Sequence, residues 1–310
     1  MRARPPSQLA VEDLDLARQL AGHYDLDTIE LRHLGTPVND VIAVSSGADE
    51  FALKLYHRNR GPEAVKWEVD LLIHLHCGGA PVVQPIRGRN GFVEQFTVDG
   101  QPRVAVLSSW VPGSKPVPGH ETYGLLGEAA ARIHRAAEGF TSSPARETYD
   151  AAVLVDAQLH RMRHLLVEAG RWEAAVGLGE RLKARLADPT LDWGICHMDL
   201  TLDNVHLAAG LTVFDFDSAG TCWRAVEPSG VLRFSAPYFQ AWLVGYRTVR
   251  ALSTPDEAAV AVFGIVADLR AVAWKLGVAT SSRGAPLLRV RDLPAVVDGW
   301  LDWEAAHLTS

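Results

Sequence analysis

The segment CHMDLTLDNVHLAAGLTVFDFDSAG carries acidic and amide side chains at a spacing that suits phosphoryl transfer. An HxD motif ends at Asp199, Asn204 follows five residues later, and Asp215 and Asp217 close an apolar run. Phosphoryl transfer needs a carboxylate to accept the proton of the attacking hydroxyl, and oxygen ligands for Mg²⁺. Asp199 suits the first role, whereas Asn204 and Asp215 suit the second.

The residues between Asn204 and Asp215 predict a short hairpin that brings these two side chains to one end of a two-stranded ribbon. Asp217 is expected on the same face of the strand as Asp215, either as a metal ligand or as the residue that ends the strand. In a purely structural interpretation, Asp199 and Asn204 cap turns and Asp215 ends a strand. An HxD pair alone is weak evidence, but the added Asn and Asp at these spacings make coincidence improbable.

The elements around this segment differ between the first third of the chain and the rest. A helix is predicted over residues 7–22, followed by strands in TIELRHLG, VNDVIAVSS and EFALKLYHR with tight turns between them. A helix over residues 62–77 and strands in GFVEQFT and RVAVLSSW complete this part. After the Pro/Gly-rich link VPGSKPVPG the pattern is mainly helical. The sequence therefore predicts an α+β protein with a boundary near residue 110.

HMDLTLDNV and VFDFD resemble the motifs of the aminoglycoside phosphotransferase and choline kinase family, relatives of protein kinases. The family pattern is HGDxxxxN, and Met198 stands where the family has Gly. The resemblance covers at least residues 35–231 and implies a bilobal protein-kinase-like fold, with a nucleotide-binding lobe at 1–109 and a catalytic, acceptor-binding lobe at 110–310. It also implies Asp199 as the base, Asn204 and Asp215 as metal ligands, and ATP or GTP as the donor.

The family also requires a lysine on the third strand and a glutamate on the next helix. In FALKLY, Ala52 and Lys54 share one strand face, as in the kinase V-A-I-K signature, although a solvated edge lysine is the structural alternative. Glu63 and Glu68 are both candidates for the glutamate. The helix dipole alone explains Glu63 in the first turn, whereas Glu68 lies within an apolar stripe. We therefore assign Glu68 as the partner of Lys54.

Two further nucleotide-binding regions are expected from the resemblance. HLGTPVNDVIAV, between the first two strands, supplies Gly35 and Asn39 for a phosphate loop, but its single glycine is also compatible with a plain hairpin. Ser109 and Trp110 occupy the place of the hinge that would bind adenine. AVEPSGVL stands where the family has a D-L-A triplet. If Glu227 substitutes for the Asp of that triplet, it supports the catalytic loop with a longer side chain, and it is not assigned as catalytic.

Composition limits the function classes. The 310 residues are 48% hydrophobic with a net charge of −7 and scattered Lys and Arg, which argues against nucleic acid as a partner. The three cysteines show no disulfide or zinc spacing, and no signal peptide or membrane span is predicted. A cytoplasmic protein is expected, as a monomer or weak homodimer, with a small-molecule hydroxyl acceptor.

The leading hypothesis is an ATP- and Mg²⁺-dependent kinase of a small molecule, with GTP as the other donor. The acceptor is an antibiotic, an amino alcohol, homoserine or a sugar. A protein Ser/Thr kinase of the bacterial stress-response type is an alternative, although Asp215 is followed by Phe-Asp and no A-P-E motif is present. A non-catalytic nucleotide-binding regulator would be expected to lack one of the key residues Lys54, Asp199, Asn204 or Asp215.

Overall fold

The computed structural model describes residues 6–34, 38–146, 148–278 and 286–308, with side chains from residue 13 onward. These residues form two compact units. One comprises the described residues of Met1–Ser114, Gly139–Arg146 and His206–Asp217, and the other those of Lys115–Glu138, Glu147–Val205 and Ser218–Ser310. The assignment of lobes to 1–109 and 110–310 stays a prediction.

The first unit contains an antiparallel sheet in the order β1-β2-β3-β5-β4. Its strands are β1 (Ile29–Leu34), β2 (Asp40–Ser46), β3 (Asp49–Leu55), β4 (Glu94–Val98) and β5 (Gln101–Ser109). Its helices are α1 (Pro6–Tyr24) and α2 (Pro62–Cys77). All of these elements are predicted from the sequence, with ends that differ by a few residues.

The alternation of side chains along β3 decides which residues point toward α2. Leu53 and Leu55 are buried in one apolar cluster together with Leu16 and Leu20 of α1. Because successive residues of a strand point to opposite faces, Ala52 and Lys54 lie on the other side of the sheet. Tyr56, which follows the strand, packs there with apolar residues of α2. The charged end of Lys54 is thus held beside α2.

The second unit is mainly helical. It contains α3 (His120–Ala136), a π-helical turn at Ala152–Asp156 that leads into α4 (Ala157–Glu168), α5 (Trp172–Leu186), α6 (Ser229–Phe234), α7 (Ala236–Arg247), α8 (Thr254–Lys275) and α9 (Leu293–His307). Glycines let α3 and α7 meet backbone to backbone, since a Cβ on Gly127 would lie 2.0 Å from the carbonyl oxygen of Trp242. Among the described residues, every helix is too short or too polar to be a candidate membrane span.

Three pairs of short elements carry the acidic segment. β6 (Trp193–Cys196) pairs antiparallel with β9 (Gly220–Trp223) in the second unit. β7 (Val205–Leu207) pairs with β8 (Leu211–Val213), which is the hairpin that the sequence predicts. Short 3₁₀ turns at Leu202–Asn204 and Phe216–Ser218 flank this hairpin. The segment is therefore built from tight turns rather than long strands.

Candidate active site

Lys54 lies at the centre of a cluster of carboxylates in the first unit. Its Nζ is 3.2 Å from Oε1 of Glu68 and 2.7 Å from Oδ1 of Asp215, and it also contacts Oδ1 of Asp217. The predicted ion pair with Glu68 is confirmed as a contact. Burial would lower the pKa of Lys54, but the surrounding carboxylates outweigh it and raise the pKa. The ammonium therefore stays charged.

Glu68 is held in place by more than Lys54. Its side chain is only 2% exposed, and Tyr56 donates a hydrogen bond to Oε1 at 2.9 Å. Arg60 Nη2 lies 3.7 Å from Oε2. A buried carboxylate needs such partners because desolvation is costly. Glu63 is exposed in the first turn of α2, as expected for a residue explained by the helix dipole alone.

Asp215 and Asp217 reach Lys54 by a turn and not along a strand. The expectation that both lie on one face of a strand is wrong, because β8 ends at Val213. Asp215 has a φ of 64°, the left-handed region that Asp tolerates better than most residues, and the following 3₁₀ turn contains Asp217. This reversal turns both carboxylates toward one ammonium group.

Asp217 is fixed through both its side chain and its backbone. Asn39, which is 5% exposed, donates from Nδ2 to Oδ2 of Asp217 and accepts from the backbone N–H of His57 at 3.0 Å. Arg60 donates to the carbonyl oxygen of Asp217 at 2.7 Å, and Arg146 donates to the same oxygen. Burial would raise the pKa of Asp217, but Lys54, Arg60 and Asn39 together lower it to about 2.

Nucleotide binding by Asn39 stays a prediction, and Gly35 lies outside the described residues. Sequence reasoning missed both arginines that fix Asp217. Arg146 stacks over the ring of Trp67 at 4.9 Å, about 80 positions away along the chain, so no local pattern could have identified it. Arg60 lies five residues after the end of β3. Its positive charge is the only feature of the sequence that suggests a contact with the acidic segment.

The donor chemistry of this cluster fits a divalent cation. The carboxylates of Asp215 and Asp217 already converge on one positive charge, and the side chain of Asp215 is 43% exposed. Mg²⁺ prefers hard oxygen ligands and is typically bound by one or two carboxylates plus phosphate oxygens. Asp215 and Asp217 are therefore suitable ligands from this unit.

The segment after β5 offers one backbone N–H donor besides those of the predicted residues, Ser109 and Trp110. The N–H of Ser109 donates to the carbonyl of Gln84 at 2.9 Å, and that of Trp110 donates to Glu50 at 3.2 Å. Both groups are thus already engaged within the protein. The N–H of Val111 has no hydrogen-bond partner among the residues that the structure describes. The sequence contains no signal that singles out Val111, since only the path of the backbone determines which donor is left.

Asp199, in the second unit, is exposed and is oriented by Asn204. Nδ2 of Asn204 donates to the carbonyl oxygen of Asp199 at 2.8 Å and to its Oδ2 at 2.9 Å. Because both amide protons are directed at Asp199, the amide oxygen Oδ1 is the atom that Asn204 can offer to a cation. The arrangement combines an oriented carboxylate with an amide oxygen that is able to bind a cation.

The loop before Asp199 is held by Glu227. The backbone N–H groups of His197 and Met198 both donate to Oε1 of Glu227, at 3.3 Å for Met198. Burial would raise the pKa of Glu227, but His134, His197 and the backbone hydrogen bond lower it, so the carboxylate stays ionised. Met198 has a φ of 67°, which explains why glycine suits this position in the family pattern.

The chain is similar in sequence to known phosphotransferases. Residues 38–263 match the model of the phosphotransferase enzyme family. Homoserine kinase of Caulobacter sp. strain K31 is 27% identical, and the match covers 91% of each chain.

Solved structures show the same fold. The microcompartment-associated aminopropanol kinase is 22% identical with a TM-score of 0.70, and the match covers 95% of each chain. Amicoumacin kinase hAmiN, in complex with AMP-PNP, Ca²⁺ and Ami, is 17% identical with a TM-score of 0.75, over 97% of this chain and 96% of that chain. The predicted kinase-like α+β fold is confirmed.

Proposed function

Because the chain belongs to the phosphotransferase enzyme family and is a phosphotransferase, we propose that it moves the γ-phosphoryl group of ATP to a small-molecule hydroxyl group with Mg²⁺ as cofactor. The family match bears out the resemblance seen in the HMDLTLDNV motif. The observation that carries the proposal is the contact of Lys54 with Glu68, Asp215 and Asp217. This combination of residues serves phosphate and metal binding in kinases.

The reaction proposed is a displacement at the γ-phosphorus. The acceptor oxygen forms a bond to that phosphorus as the bond to the β,γ-bridging oxygen breaks, and ADP leaves. The hydroxyl proton passes to the carboxylate of Asp199, which Asn204 orients through Oδ2. The exposure of Asp199 supports this role, because the carboxylate must reach an acceptor from solvent.

The other residues position the donor. Lys54 binds phosphate oxygens, Glu68 orients Lys54, and Asn39 keeps Asp217 in place. Asn204, Asp215 and Asp217 would hold the cation, which neutralises charge on the phosphates when bound. We place the adenine contact at the N–H of Val111, in addition to the expected region of Ala52, Ser109 and Trp110. GTP remains the alternative donor.

We propose small polar alcohols as the acceptors, and the names of two similar proteins support this choice. Homoserine kinase and aminopropanol kinase both act, by their names, on short hydroxyl compounds. An antibiotic acceptor is compatible with the fold shared with amicoumacin kinase hAmiN. A cytoplasmic location is part of the proposal, supported by the free thiols of Cys77, Cys196 and Cys222.

The proposal is tested with Asp199→Asn. The variant should lose about 10²- to 10⁴-fold in kcat, the usual range for a general base. It should still bind Mg·AMP-PNP, because the base is not a principal nucleotide contact. ADP release is measured across amino alcohols, hydroxy amino acids, sugars and aminoglycosides, and binding is measured by calorimetry. Unchanged turnover in the variant would refute Asp199 as the base.

A further inference from the structure

Arg270 on α8 differs from two other arginines of the second unit, Arg224 and Arg250, in what its guanidinium contacts. Its Nη2 donates to the carbonyl oxygen of Met198 at 2.6 Å, so its guanidinium lies against the residue directly before Asp199. No carboxylate of the described residues lies within ion-pairing distance of Arg270. By contrast, Arg224 and Arg250 of the same unit both pair with Asp192. Within the described ranges, a half-buried positive charge near the proposed base thus has no carboxylate partner.

The position of Arg270 is fixed by two contacts. Besides the bond to Met198, its guanidinium lies over the ring of Tyr149, 5.9 Å from the centroid. Tyr149 is itself tied to β9, since its backbone N–H donates to the carbonyl of Thr221 at 2.8 Å. An arginine whose orientation is already set loses little entropy when it binds a ligand.

The guanidinium has hydrogen-bonding capacity left over. An arginine has five N–H donors in a planar fork, and the structure accounts for one of them, on the carbonyl of Met198. None of the other guanidinium nitrogens of Arg270 is both fully buried and without a partner, and the residue is half-buried, so the guanidinium keeps donors that a ligand can use. A free edge of this fork matches a carboxylate with two parallel hydrogen bonds.

We propose that Arg270 binds a carboxylate of the acceptor, and that the acceptor class is therefore hydroxy acids or hydroxy amino acids. This inference rests on the proposed function, since it assigns a substrate class to the site of Asp199. The same charge disfavours purely cationic acceptors such as amino alcohols and aminoglycosides. The charge of Arg270 would therefore favour binding of acidic acceptors and also oppose binding of cationic ones.

The test uses acceptor pairs that differ only in the carboxylate. Threonine and 1-aminopropan-2-ol form one pair, and homoserine and 3-aminopropan-1-ol form the other. We expect the wild type to favour the acid of each pair. Arg270→Gln should lose about 10- to 100-fold in kcat/KM for the acids, the range of a charged hydrogen bond, chiefly through KM. Arg270→Lys should retain part of the preference, because lysine keeps the charge but not the fork.

Arg247→Gln is the matched control, because Arg247 is an exposed arginine on α7 that pairs with Glu257. This control variant should leave kcat/KM unchanged for both acceptors of each pair. If Arg270→Gln lowers kcat/KM equally for the acid and the amine of each pair, the inference is overturned. Arg270 would then only hold the backbone of Met198 in place. A wild type that prefers the amines would also overturn it.

Calorimetry of the acids in the presence of Mg·AMP-PNP separates this inference from the proposed function. If the acids bind in an Arg270-dependent way, the inference stands even where turnover is slow. If they do not bind, it fails, whereas Asp199-dependent ADP release with another acceptor still upholds the proposed function. A wild type that does not bind Mg·AMP-PNP at all would count against the proposed function, and with it against the assignment of an acceptor.

Discussion

The carboxylate of Glu227 accepts a hydrogen bond from the backbone N–H of Met198, the residue directly before Asp199, over 3.3 Å. The N–H of His197 donates to the same oxygen. Glu227 is 7% exposed, and His134 Nε2 lies 3.9 Å from Oε1. A buried, ionised carboxylate thus fixes two consecutive peptide groups of the loop that presents Asp199. Its longer side chain does not prevent this support at a position where the family has aspartate.

Replacing this carboxylate should reduce catalysis without weakening nucleotide binding. Glu227→Gln keeps the shape but offers a weaker acceptor to two N–H groups, and we expect a decrease in kcat of about tenfold or more. KM for ATP should change little, because among the described residues Glu227 contacts His134 and the backbone of His197 and Met198 rather than the proposed nucleotide contacts. Steady-state kinetics measures both constants. A change confined to KM for ATP would contradict this role.

Lys54→Met should weaken Mg·AMP-PNP binding by about 10- to 100-fold, since a charged hydrogen-bond donor is lost. It should also destabilise the protein, because Glu68 is left buried without its cation. Calorimetry and urea unfolding separate the two effects. Lys66 is exposed on α2, the helix that carries Glu68, and it pairs with Asp70. Lys66→Met should therefore change neither the affinity for Mg·AMP-PNP nor the free energy of unfolding.

A double variant removes the ambiguity of misfolding. Lys54→Met with Glu68→Gln eliminates both charges and should recover much of the free energy of unfolding that the single variant loses. Nucleotide affinity should remain low. Recovery of affinity together with stability would show that Lys54 acts only through the fold.

Much of this site follows from patterns that are local in the sequence. The period of two in FALKLY places Lys54 opposite the core, and the helical period places Glu68 in an apolar stripe, so their meeting across β3 and α2 is predictable. The hairpin of β7 and β8 is also local. In each case, a few adjacent residues determine the direction of the side chain.

The remaining features depend on distant or backbone contacts. The placement of Asp217 on a strand fails because Asp215 adopts a left-handed φ, which no periodic pattern reveals. Arg146 donates to the carbonyl of Asp217 from 71 positions away. Within the part of the chain that the structure describes, the N–H of Val111 is left without a partner because Gln84 and Glu50 accept from the two residues before it. Such residues carry no motif of their own.

The left-handed conformation of Met198 predicts an unusual order of stability among its variants. Met198 is 8% exposed, so any truncation loses buried apolar area. Glycine adopts a φ of 67° without penalty, whereas alanine does not, so Met198→Gly should be more stable than Met198→Ala by about 1 kcal/mol. Urea unfolding of the two variants measures this difference. Equal stabilities, or a more stable alanine variant, would argue against the left-handed backbone.

The low pKa of Asp217 links the stability of the first unit to pH. Its pKa is lowered from 3.8 to about 2 in the folded chain, so the folded state favours the ionised form. This contribution, about 2 kcal/mol, is fully present above the unfolded pKa and is lost as the pH falls from about 5 toward 2. Asp217→Asn removes it. The difference in the free energy of unfolding between the wild type and this variant should therefore shrink over that range.

Asp49→Asn, at an exposed position at the start of β3, provides the comparison for general acid effects. The free energy of unfolding of this variant should stay close to that of the wild type over the same pH range, because surface charges contribute little to stability. Unfolding in urea, followed by circular dichroism at a series of pH values, measures both differences. If the two variants show the same pH profile, Asp217 is not held ionised by Lys54 and Arg60. If the difference in the free energy of unfolding from the wild type shrinks at low pH only for Asp217→Asn, the titrating group lies in the cluster around Lys54.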